Sequence, residues 1–175
     1  MSFKKKNIEW TEVEAAGGSK MLPAGGYIAK IMDVEDVESK EYLRFTYDVD
    51  EGPQKGFFAD DDRVYTHQFV RSYKDSAAGF MRKFLDCVEG SNKDFRLEGW
   101  DSDIDDLVGK LVGIIVQRED YTNGNGEDRA RMNVEGFATV SDIRNGRFVV
   151  PEPKDNRKPK DEQPAAGAYD ADIPF

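Results

Sequence analysis

The stretch "SAAGFMRKFLDCVEG" (76–90) is where the chain changes period. Its apolar residues Ala77, Phe80, Met81, Phe84, Leu85 and Val88 recur at i, i+3, i+4, i+7, i+8 and i+11, one face of an amphipathic helix. Arg82, Lys83, Asp86 and Glu89 fall on the other face. Asp75 or Ser76 stands where an N-cap accepts from the free N–H groups, and Gly90 where a helix stops.

Working outward, both flanks read as strands. Upstream, "GYIAKIMDVEDVE" (26–38) is rich in β-branched and aromatic residues. "EYLRFTYDVD" (41–50) alternates, with Leu43, Phe45, Tyr47 and Val49 on one face and Tyr42, Arg44, Thr46 and Asp48 on the other. "RVYTHQFVR" (63–71) predicts a third strand in which Tyr65, His67, Phe69 and Arg71 share a face. Downstream of an irregular stretch (91–107), "GKLVGIIVQRED" (109–120) and "RARMNVEGFATV" (129–140) flank the turn sequence "YTNGNGED" and predict a hairpin. Three strands, a helix and a two-stranded hairpin match the five-stranded, partly open Greek-key barrel of the OB-fold, an order that other α+β folds share. The expected division is a leader (1–24), the barrel (25–150), a Pro-rich disordered linker (151–169) and a short tip (170–175). Five of the seven prolines lie beyond position 150, in a segment with almost nothing to bury.

Composition narrows the function. A net charge of −10 argues against a protein that coats itself in nucleic acid, although residues 63–84 hold five basic residues against one acid. Cys87 is the only cysteine, so neither an intrachain disulfide nor a cysteine metal cage can form, which fits a cytoplasmic setting. The start "MSFKKKNIEW" has no apolar run behind its lysines and is not a secretory signal, and no window is apolar enough to span a membrane. The single His67 has no Ser or Cys partner in a triad setting. The acids of "ADDDR" (59–63) have no second acid cluster at a spacing that would complete a Mg²⁺ site. Gly124 and Gly126 follow a strand but open no helix, so they cradle no phosphate. The expectation is a binding protein, not an enzyme, with no cofactor.

Aromatic and basic residues interleave over 42–74. Single-stranded nucleic acids are held by stacked rings and a positive groove, and in an OB-fold the face of strands 2 and 3 supplies them. Here that face is expected to present Tyr42 and Arg44 from the second strand and Tyr65, His67, Phe69 and Arg71 from the third. Lys74 extends the positive patch, and Arg129 and Arg131 add to it from the fifth strand. Phe69 is balanced between this face and the core, because the third strand has apolar residues on both sides.

The last six residues, "DADIPF" (170–175), place two acids before Ile-Pro-Phe. This closely resembles the C-terminal tip of bacterial single-stranded-DNA-binding proteins, and the preceding 150 residues resemble, more diffusely, phage and prophage proteins of that kind. The resemblance implies that Phe175 anchors in an apolar pocket of a replication, repair or recombination enzyme. Pro174 and Ile173 would shape the hook, and Asp170 and Asp172 would meet basic residues around the pocket. Ala171 interrupts the acidic run usual in the family, and the linker is short and of mixed charge. The expected partners are single-stranded DNA and host or phage DNA-processing enzymes, with no membrane; whether the chain forms a homo-oligomer stays open. The rival reading is a protein-interaction adaptor of a recombination or replication complex, with little affinity for DNA.

Overall fold

The structure, a computed structural model, describes residues 21–159. The strands are β1 (Gly25–Val37), β2 (Tyr42–Val49), β3 (Gln68–Ser72), β4 (Leu111–Thr122), β5 (Asp128–Ala138) and β6 (Lys154–Asn156). The helices are α1 (Ala78–Ser91), between β3 and β4, and α2 (Val140–Arg144), after β5. The protein is mainly β. Neighbours along the path β3-β2-β1-β4-β5 are antiparallel, and β6 lies parallel to β4. β1 pairs with Leu111–Val116 and β6 with Glu119–Tyr121, while β5 holds the opposite edge of β4 from Gly113 to Thr122. Thus β6 continues the edge where β1 leaves it.

Two bulges set which residues face the core. Ile31 pairs with Tyr47 and Asp33 with Thr46, so Met32 has no partner and the alternation of β1 shifts by one. Ile31 and Val34 therefore both point inward. In β5, Glu135 is the extra residue between Val134, opposite Val116, and Gly136, opposite Ile115. β2 has no bulge, and its burial alternates without a break.

The helix forms where the period predicts it, with Met81, Phe84 and Val88 buried. Phe80, expected on the same face, is 63 % exposed. Neither Asp75 nor Ser76 caps the helix: Asp75–Ala77 form a one-turn 3-10 helix, and no side chain bonds the N-cap position at Ala77. The far end passes Gly90 to Ser91, where Asn92 takes over. Its Nδ2 donates to the carbonyls of Val88 (2.7 Å) and Leu111 (2.8 Å), and its Oδ1 accepts from the Leu111 N–H (3.0 Å). One side chain thus satisfies the helix end and fixes the start of β4.

The sequence pattern predicts a barrel, but among the described residues no pairing joins β3 to β5, and the sheet stays open. Side chains bridge the gap instead. The ring of Phe69 on β3 lies 5.0 Å from that of Phe137 on β5, and Phe84 of α1 touches both, at 5.7 and 4.8 Å. Phe45 of β2 completes the cluster, 4.9 Å from both Phe69 and Phe84.

Two further expectations are corrected. The third strand begins at Gln68, because Val64–His67 form a 3-10 helix. The chain does not leave the sheet at Val150: Gln117 Nε2 donates to the Glu152 carbonyl (2.5 Å), β6 follows, and the Lys158 N–H bonds Thr122 Oγ1 (2.8 Å). The remainder of the expected linker, 160–169, the tip and most of the leader lie outside the described residues. Finally, α2 and the turn after it lie against the strands at two glycines. A Cβ on Gly113 would come within 2.6 Å of Ile143, and one on Gly26 within 2.6 Å of the Phe148 ring. No helix among the described residues is long and apolar enough to cross a membrane.

Replacing Phe84 by Ala is expected to cost about 3–5 kcal/mol in a urea titration, because a fully buried ring shared by three neighbours is lost. Phe80→Ala, on the exposed side of the same helix, should stay within about 0.5 kcal/mol of the parent.

Candidate functional site

Residues opposite each other in a sheet point to the same side. The outer face of β2 and β3 therefore carries the pairs Tyr42–Ser72, Arg44–Val70 and Thr46–Gln68. β1 adds Asp33, Glu35 and Val37 through their pairing with Thr46, Arg44 and Tyr42. Over β1 and β4 the same face is occupied by Ile143 and Phe148 at the two glycines. The half over β2 and β3 is open, and Val70 there is 49 % exposed. Arg44 organises it. Its Nη1 donates to Glu35 Oε2 (2.9 Å), its Nη2 donates to Tyr42 Oη (3.2 Å), and its Cζ sits 5.8 Å from the centre of the Tyr42 ring. Gln68 Nε2 donates to Thr46 Oγ1 (3.0 Å). Tyr65, on the 3-10 helix before β3, is 71 % exposed.

Tyr42, Arg44 and Tyr65 are thus open to a ligand, as is Lys74, which is exposed and makes no ion pair among the described residues. Three other expected contacts face inward. His67 is buried, with Nδ1 2.6 Å from the Tyr47 carbonyl and its ring stacked 4.8 Å from Phe58. A carbonyl only accepts, so Nδ1 carries the proton. Phe69 is buried and stacked on Phe45. Arg71 is half-buried, its Cζ 5.0 Å from the centre of Phe137 and its Nη2 donating to the Phe80 carbonyl (3.1 Å). Burial lowers its pKa from the usual guanidinium value. The reason is register: Phe69 pairs with Phe45 and Arg71 with Leu43, both core residues. The outward residues of β3, Gln68, Val70 and Ser72, escaped the sequence reading, because they follow only from the register that sets Phe69 opposite Phe45.

Arg129 and Arg131 lie on β5, separated from the β2–β3 patch by β1 and β4 along the sheet. Arg129 Nη2 pairs with Glu127 Oε2 (2.5 Å). Arg131 Nε donates to Glu119 Oε1 (2.6 Å), with its Cζ 4.6 Å from the centre of the Tyr121 ring. Glu119 is largely buried and also accepts from Asn133 Nδ2 (2.9 Å) and Asn156 Nδ2 (2.7 Å). The bond from Arg131, then those from Asn133 and Asn156, hold its carboxyl down at about 2. This carboxylate fastens β6 to β4. Of the loop acids, Asp61 is committed to Arg63 and Thr66. The expected partner-binding residues Asp170, Asp172, Ile173, Pro174 and Phe175 lie outside the described residues. Comparison with protein-family models gave no match, and no curated protein matches the chain.

The lowered carboxyl of Glu119 has a signed consequence. Its ordinary value is about 4.3, so its contribution to stability is complete above that pH and is lost as pH falls toward 2. Exchange protection at Asp155 and Asn156, taken relative to the intrinsic amide rate at each pH, should fall over this window in the parent. Glu119→Gln should show low protection there already at pH 6, with little further change in protection on acidification.

Proposed function

We propose that this chain binds single-stranded DNA on the open outer face of β2 and β3 and recruits DNA-processing enzymes through Asp170–Phe175. In this reading the domain is an OB-fold whose closure is made by rings rather than by backbone pairing. The observation that carries it is the patch of Tyr42, Arg44 and Val70, beside Tyr65, on the two strands that an OB-fold uses for ligands. The order β3-β2-β1-β4-β5, with a helix between β3 and β4, supports it. Bases stack on Tyr42 and Tyr65, Arg44 turns from Glu35 to a phosphate, and Lys74 meets a second. Stacking accepts every base, so the protein holds and protects the strand without reading sequence during replication or recombination. No chemical step is assigned to it. Phe175 docks in an apolar pocket of a partner enzyme, with Ile173, Pro174, Asp170 and Asp172 around it, in the cytoplasm of a bacterial host.

One observation favours the adaptor reading. Arg44, Arg129 and Arg131 are each neutralised by one of the chain's own carboxylates. The two readings part on fluorescence anisotropy with labelled oligo(dT) and duplex. Strand binding predicts preference for oligo(dT), with a shallow log–log salt slope of about −1.4 for two phosphates. Tyr42→Ala and Tyr65→Ala should each weaken binding by about 1–3 kcal/mol without loss of fold. Glu35→Gln, which frees Arg44, should tighten it. No binding of oligo(dT) at low salt favours the adaptor instead, and equal binding of duplex contradicts a single-strand site.

A further inference from the structure

A groove of about 580 Å³ opens away from the β2–β3 face, where the loop between β1 and β2 meets α1 and the segment 100–104. Its floor is apolar: Leu43, Met81, Leu85, Trp100 and Ile104. Trp100 is fixed there by an edge contact with Phe95 (5.3 Å) and by its Nε1 donating to Asp106 Oδ2 (3.0 Å). The rim is acidic, with Asp36, Glu38 and Glu41, and no basic residue lines the groove. Asp101, Asp103, Asp105 and Asp106 follow in the adjoining segment without an intervening base. An apolar floor under a carboxylate rim selects an occupant with an apolar anchor followed by cations.

The chain carries such a segment outside the described residues. "MSFKKK" (1–6) places Phe3 directly before Lys4, Lys5 and Lys6, with no acid until Glu9. Reach is assured by counting peptide steps. Residues 6–21 contain as many as residues 21–36, so Lys6 can lie beside Asp36 however extended the path from Met21 along β1. We propose that residues 1–6 of the same chain dock in this groove, Phe3 on the floor against Leu85 and Trp100, and Lys4–Lys6 along Asp36, Glu38 and Glu41. The leader then shields an apolar surface and neutralises part of the acidic end of the domain. This does not depend on DNA binding.

The test uses the full chain with Cys87→Ala and Ser2→Cys, a nitroxide on the introduced thiol, and ¹⁵N-labelled amides. The expected result is selective loss of peak intensity at Met81, Leu85 and Ile104. Intensity should return at 1 M salt, where charges are screened within about 3 Å, and with Lys4→Glu, Lys5→Glu and Lys6→Glu combined. Glu38→Lys, an exposed change, should restore it in part. Unchanged intensity at the groove overturns the proposal. So does loss that appears only when spin-labelled unlabelled protein is mixed with ¹⁵N protein, since a second copy is then the occupant. Should Cys87→Ala not fold, Trp10→Phe leaves Trp100 as the sole tryptophan; its emission should move to longer wavelength when the three lysines are reversed. An unmoved emission counts against the docking.

Discussion

Phe84 reaches rings from both ends of the sheet, Phe69 on β3 and Phe137 on β5, with Phe45 of β2 behind them. A five-strand antiparallel path with a right-handed twist curls, and its two edges must be paired, covered or left exposed. Here they are covered. α1 sits across the opening, and the ring contacts do the work that a closing ladder would do. Aromatic pairs at these distances add about 0.5–1.5 kcal/mol each beyond the area they bury, and Phe84 is held by three such contacts. Arg71 belongs to this closure, laid over Phe137 and bonded to the helix at the Phe80 carbonyl. A guanidinium placed there seals an edge and is not offered to a ligand.

The open half of the outer face is what remains once the other openings are filled. Gly26 and Gly113 allow Phe148 and Ile143 to lie directly on β1 and β4, which removes half of the outer face. β6 and the bonds from Gln117 and Glu119 cover the far edge of β4. What is left is Tyr42, Arg44, Thr46, Gln68, Val70 and Ser72, with Glu35 paired to Arg44. The surface is only weakly cationic, in keeping with a chain of net charge −10. Any affinity for a strand must then come more from ring faces than from counterion release, a balance opposite to that of a basic groove.

Much of this was legible in the residues. The alternation of 41–50 gave both faces of β2 correctly, the change of period at 76 located α1, and the Asn-Gly pairs marked the β4–β5 turn, where Asn123 Oδ1 accepts from the N–H groups of Asn125 and Glu127. The outward side of β3 was missed because Tyr65, exposed on the 3-10 helix before the strand, was grouped with Phe69 and Arg71, and because both faces of that stretch are partly apolar. β6 was missed for a different reason. Its residues are polar and exposed, and what orders them is Glu119 and Gln117, 35 or more positions away. Local composition reads such a strand as linker. The interior glycines at 26 and 113 were an overlooked signal for Phe148 and Ile143, since a glycine within a strand often marks close approach by another segment.

The most direct measurement of the central claim is an amide and side-chain NMR titration of the full chain with oligo(dT). Binding on the open half of the outer face predicts that shifts concentrate at Tyr42, Arg44, Thr46, Gln68 and Val70, with Tyr65 and Lys74 at the margin. Tyr121, Arg129 and Arg131 should stay still, as should the inward His67 and Phe69 rings. Shifts centred on the β4–β5 hairpin, or no shifts at all, would contradict the account.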